Sequence, residues 1–188
     1  MNIEKTDFEG LVVILPKLFS DDRGSFFESF NLEKFSNLLN IINLSFVQDN
    51  HSISKLGVLR GLHYQSKHSQ GKLVRVIKGI VFDVVVDIRK NSKTFGKWFG
   101  IELSQYNFKQ LWIPPGFAHG FLALSDEVEF LYKTTDYRYA EYERCILWND
   151  ADLNIQWPLY KLPKDMNPIL SEKDSNALGF SSIEVFDE

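Results

Sequence analysis

Cysteine is almost missing from this chain: one residue, Cys145, in 188. A single thiol excludes an intrachain disulfide and any cysteine-rich metal site, and it suits a reducing compartment. No stretch reaches the about 18 apolar residues that a membrane helix needs. The N-terminus lacks a basic start followed by an apolar run, so no secretory leader is seen and a cytoplasmic protein is expected. Basic charge is not in excess either. The net charge of −4 gives no electrostatic footprint for nucleic acid. Internal repeats, low-complexity tracts and polar linkers are absent, so residues 1–188 read as one domain with a short arm at each end. There is no glycine-rich phosphate loop, no Gly-x-Ser-x-Gly elbow and no Cys–His pair at an informative spacing. The four histidines are His51, His63, His68 and His119, and no two form His-x-His. A metal site needs about three such ligands, so none is expected.

Aromatic residues are plentiful: 16 Phe, 7 Tyr and 4 Trp. They favour strands and large contact surfaces, including contacts with a second subunit. Ile80 to Ile88 alternates with period two, and Phe108–Ile113 and Val128–Lys133 are similar. Gly71, Gly79, Gly96, Gly100, Gly116 and Gly120 are expected at or between strand ends. Many short punctuated strands predict an all-β sandwich or jelly roll. One helix is expected, Asn31 to Ile42, capped by Asn31 with Glu33 in its first turn. Leu32, Phe35, Leu38, Leu39 and Ile42 would line one side. Pro163, Pro168 and Gly179 limit the tail to short helical turns.

Polar residues cluster in otherwise apolar surroundings. In Arg60-Gly-Leu-His63, strict alternation would put Arg60 and His63 on opposite faces. A bulge at Gly61 would turn both the same way. A lone strand histidine is otherwise usually core packing. Gln48 and Asn50 share a face, and two amides there suit sugar or phosphate oxygens; the plainer reading is a strand breaking into a loop. Pro114-Pro-Gly-Phe-Ala-His119 reads as a rigid turn that delivers a histidine to a strand beginning at Gly120. Phe26 and Glu28 share a face after the charged turn Asp21-Asp-Arg23-Gly24. Tyr132 lies on the apolar Val128-Phe130 face, where its hydroxyl needs a partner. Lys72 opens a strand, where a lysine is ordinarily solvated.

Taken in order, Arg23-Gly24 with Phe26-Phe-Glu28, Gln48-Asp-Asn50-His51, Gly57 to Gln65, Gly71 to Val76, Phe82-Asp83-Val84, Pro114 to Gly120, Phe130-Leu-Tyr132, Trp157-Pro158 and Leu170 to Asp174 resemble the dTDP-4-dehydrorhamnose 3,5-epimerase family. The resemblance implies a cupin-type double-sheet jelly roll acting as a homodimer without metal or other cofactor. Its implied substrate is dTDP-4-dehydro-6-deoxy-D-glucose, inverted at C3 and C5. On this resemblance His63 is the base, Tyr132 the acid, Lys72 the cation that stabilises the enolate, and Asp174 the carboxylate that orients His63, with Asp83 as the alternative orienter. Arg23 and Arg60 match diphosphate contacts. Phe26, Glu28, Gln48, Asn50, His119, Arg138, Glu143 and Lys173 complete the expected substrate-binding set, with Arg23 to Glu28 reaching into the partner subunit's site. Arg138 stands where members often carry a tyrosine that stacks on thymine, and a guanidinium can stack too. Two neighbouring readings stay open, a single-carbon epimerase and an epimerase for another nucleotide sugar. A non-catalytic sugar-nucleotide-binding cupin is the alternative of a different class. It would not need a base opposite an acid.

Overall fold

The structure is a computed structural model and describes residues 1–186. Two antiparallel sheets face each other. The larger runs in the order β1 (Asn2–Lys5), β2 (Val12–Leu15), β10 (Gln110–Ile113), β7 (Lys72–Lys78), β12 (Glu127–Thr134), β5 (Gln48–Lys55). The smaller runs β13 (Glu143–Cys145), β6 (Leu59–Gln65), β11 (Phe117–Ala123), β8 (Ile80–Asp87), β9 (Trp98–Ser104). A separate hairpin pairs β3 (Leu18–Asp21) with β4 (Gly24–Phe27). This is the expected double-sheet jelly roll. No helix among the described residues is long and apolar enough to cross a membrane.

The alternation in β8 shows how the layers are built. Val81 and Val85 enter the core between the sheets, with Val74, Val76, Leu111, Val128 and Phe130 from the facing sheet. Val84 and Val86 point the other way, under Leu153, Ile155, Trp157 and Leu162 of the C-terminal tail. Both faces of the strand are therefore buried. Asp83 shares the inward face and is 0% exposed.

The helix α1 spans Leu32–Leu39, shorter than expected. Asn31 caps it by accepting from the Lys34 amide. Asn40 ends it by entering the left-handed region at φ 54°, with its N–H turned back onto Asn37 and Ser36 carbonyls. Ile42 is consequently outside the helix and 87% exposed, and Phe35 alone of the expected face is fully buried. Phe35 meets Trp112 edge-on at 5.5 Å, which fastens the helix to the larger sheet.

Two glycines expected at strand ends lie inside strands instead. A Cβ on Gly100 would come within 2.4 Å of the Phe82 ring. Gly120 sits against Gly61, whose own Cβ would approach the Gly120 Cα to 2.5 Å. The second strand of that pair also starts early. β11 begins at Phe117, so His119 is a buried strand residue rather than a turn residue.

Candidate active site

Gly61 and Gly120 mark the point where β6 and β11 fall out of step. His63 pairs with His119, but Arg60 pairs with Phe121, so β6 spends one residue more than its partner. Gly61 takes φ +127°, open to glycine and rarely to other residues. The extra residue brings Arg60 and His63 onto one cavity, as the spacing suggested.

That cavity measures about 240 Å³ and opens between the sheets. The smaller sheet supplies Arg60, His63, Gln65 and His119; the larger supplies Gln48, Asn50, Ser52, Lys72, Phe130 and Tyr132; Arg138 and Glu143 stand in the lining too. His63 Nε2 lies 2.6 Å from Asp174 Oδ1. Its Nδ1 has no hydrogen bond among the described residues. Asp174 reaches the site because Ser171 caps α2 (Glu172–Ser175), its hydroxyl accepting from the Asp174 amide at 3.1 Å. Burial opposes the Asp174 carboxylate, yet hydrogen bonds from His63 and its neighbours outweigh burial and lower its pKa. Cys145 stands opposite His63 in the β13–β6 ladder, its thiol 3.5 Å from the same Asp174 oxygen. Burial, reinforced by Asp174, pushes that thiol up to about 12.

Asp83 does not touch His63. It holds His119 instead, at 2.9 Å from Nε2. Burial raises its pKa against the pull of His119 and Lys72, and its second oxygen has no hydrogen-bond partner among the described residues. Lys72, at 9% exposure, makes one long contact, 3.5 Å to the His63 carbonyl, and no ion pair among the described residues. Burial lowers its pKa to about 8, with Glu143 and Asp83 resisting. Burial raises the Tyr132 pKa, Glu143 adds to this, and Arg138 and Arg60 oppose it.

The family of this fold and site is then decided by comparison. Residues 5–182 match the dTDP-4-dehydrorhamnose 3,5-epimerase family. The chain belongs to that family. It is therefore an epimerase, an isomerase that acts on a carbohydrate. The Shigella flexneri dTDP-4-dehydrorhamnose 3,5-epimerase is 52% identical over 187 residues, 99% of either chain. The Pseudomonas aeruginosa enzyme is 53% identical over 176 residues, 94% of each. The solved structure of the Legionella pneumophila dTDP-6-deoxy-D-glucose-3,5-epimerase in complex with dTDP-4-keto-L-rhamnose matches with a TM-score of 0.93 at 48% identity, over 100% of this chain and 98% of that one. A 3'-monoepimerase from Streptomyces bikiniensis, in complex with dTDP-quinovose, stands further off, with a TM-score of 0.84 at 30% identity over 96% and 88%.

The expected substrate-binding residues divide into three groups. Gln48, Asn50, Arg60, His119, Arg138 and Glu143 line the epimerase cavity. Lys173 does not line it; it binds Glu143 at 2.8 Å. Arg138 grips the same carboxylate with two nitrogens at 3.0 and 2.9 Å, and this pairing, against the opposition of burial and with help from Lys173, takes the Glu143 pKa down to about 2. Arg23, Phe26 and Glu28 are on or beside the β3–β4 hairpin, outside the cavity of their own chain. Arg23 pairs with Asp21, Glu28 with Lys34, and Phe26 is 72% exposed. Ser52, which the sequence reading passed over, continues the Gln48–Asn50 face by one more step of two, and that period was the available signal.

Proposed function

We propose that the chain inverts C3 and C5 of dTDP-4-dehydro-6-deoxy-D-glucose to give dTDP-4-dehydro-L-rhamnose, a step of dTDP-L-rhamnose biosynthesis in the cytoplasm. One observation carries the reading. A carboxylate-anchored histidine and a half-buried tyrosine come from opposite sheets and line one cavity, with a buried lysine beside them. Inversion at a carbon needs proton removal on one face and delivery on the other.

Both reacting carbons flank the C4 ketone, so each C–H is weakly acidic. His63, its Nε2 engaged by Asp174, takes the proton on Nδ1. Negative charge moves to the C4 oxygen. Lys72 stabilises it there as a cation desolvated in advance, a role whose strength grows when water is excluded. Tyr132 returns a proton from the facing sheet. The raised phenol pKa keeps it in the donating form. No step calls for a metal. Arg60 suits the diphosphate through its guanidinium fork.

A cavity of about 240 Å³ is small for a nucleotide sugar. This supports a homodimer in which the hairpin carrying Arg23, Phe26 and Glu28 completes the partner's site; a fully active monomer would overturn that arrangement. Incubation with the 4-keto sugar nucleotide in D2O, followed by NMR, tests the reaction. Deuterium is expected at both C3 and C5 with formation of the L-sugar. Label confined to C3 would identify a single-carbon epimerase, and no label would leave a binding protein.

A further inference from the structure

We propose that His63, Cys145 and Asp174 form a binding site for a thiophilic divalent cation such as Zn²⁺, and that occupation of it takes the base out of use. The three side chains come from β6, β13 and α2. One donor atom from each lies within 4.8 Å of the others. Asp174 Oδ1 is their meeting point, 2.6 Å from His63 Nε2 and 3.5 Å from Cys145 Sγ. Zinc bonds of about 2.0–2.3 Å in a tetrahedron separate ligand atoms by roughly 3.3–3.8 Å. The cluster therefore reaches ligand geometry through small side-chain shifts, among them an opening of the His63–Asp174 contact.

An imidazole, a thiolate and a carboxylate select zinc-like ions over magnesium or calcium, which prefer oxygen. The two anionic ligands neutralise the dication, so a half-buried site holds no net charge. His63 lines the cavity, which leaves water as the fourth ligand. Binding releases the thiol proton to solvent, while the imidazole moves its proton from Nε2 to Nδ1 and stays neutral, which caps the nitrogen that acts as base; nothing is oxidised or reduced. The consequence for turnover rests on His63 being the base.

The first arm uses the whole enzyme without substrate, so chelation by a diphosphate plays no part in it. Co²⁺ is titrated and the thiolate-to-cobalt charge-transfer band is followed. Cys145 is the single cysteine, so the band reports this site alone. Zn²⁺ inhibition is then measured for wild type and Cys145→Ser, each against its own metal-free rate. The band is expected in wild type and absent in Cys145→Ser. Losing a group that merely orients a metal ligand costs about 10- to 100-fold in affinity, so losing the sulfur should raise the inhibitory Zn²⁺ concentration at least tenfold. A chelator should restore activity. Absence of the band, or equal Zn²⁺ sensitivity of the two proteins, would overturn the site. A band with undiminished turnover would keep the site and overturn the assignment of His63 as base.

Discussion

Two histidine–carboxylate pairs sit side by side, and their histidines are register partners across β6 and β11 of the smaller sheet. His63–Asp174 is the shorter, 2.6 Å, with a side chain 33% exposed over a carboxylate 4% exposed. His119–Asp83 is 2.9 Å long and closed in, at 9% and 0%. The first carboxylate is held low by its hydrogen bonds; the second is driven up by burial and keeps an oxygen unpartnered among the described residues. His119 also stacks on Phe130, with ring centroids 6.0 Å apart. A histidine–carboxylate contact is thus no sufficient mark of a base. The pair with the more exposed ring and the carboxylate held low is equipped to move a proton; the enclosed pair, whose ring also lines the cavity, is equipped to hold position and shape the field around Lys72.

Substitutions should separate the two pairs. His63→Ala is expected to have the largest effect, bringing solvent exchange at C3 and C5 down by about 10⁴-fold or more, the upper end for a general base. Asp174→Asn should follow. The amide presents the wrong hydrogen-bonding pattern to the ring, and a loss of about 10²- to 10⁴-fold in kcat is expected from steady-state rates. His63→Ala and Asp174→Asn together should cost little more than His63→Ala alone, because they disable one unit.

Lys72 gives a smaller, pH-dependent effect. Its useful form is the cation and its folded pKa is about 8, so kcat/KM should decline as pH rises through that value. Glu143 and Asp83 both favour the cation. Removing either charge should move the decline to lower pH. Glu143→Gln should move it further than Asp83→Asn, which is the smallest effect expected here. A pH profile that moves upward in either variant would contradict the electrostatic reading of Lys72.

The sequence made the strand faces readable because burial in β5 follows a period of two and the residues of β8 alternate between two separate cores. It also exposed the bulge, since Gly61 is the one residue between Arg60 and His63 that tolerates φ +127°. It did not show where the polar residues find partners. Asp174 is 111 residues from His63, and no periodicity links a tail helix to a central strand; family resemblance alone singled it out. Asp83 was open as the orienter of His63 until the register placed it across from Phe121, next to His119. Cys145 opposite His63 is likewise a product of strand pairing. The helix ran shorter than its apolar spacing suggested because Asn40 adopts a backbone conformation that spacing does not encode.

The central claim is that base and acid act from opposite sheets. Deuterium incorporation against net inversion, measured on His63→Ala and Tyr132→Phe with the 4-keto substrate in D2O, tests it most directly. His63→Ala should lose both. Tyr132→Phe should lose about 10²- to 10⁴-fold in inversion while keeping far more of the exchange, because His63 still removes and returns a proton on its own face. Exchange that survives in His63→Ala but falls with inversion in Tyr132→Phe would mean that the base and the acid are reversed.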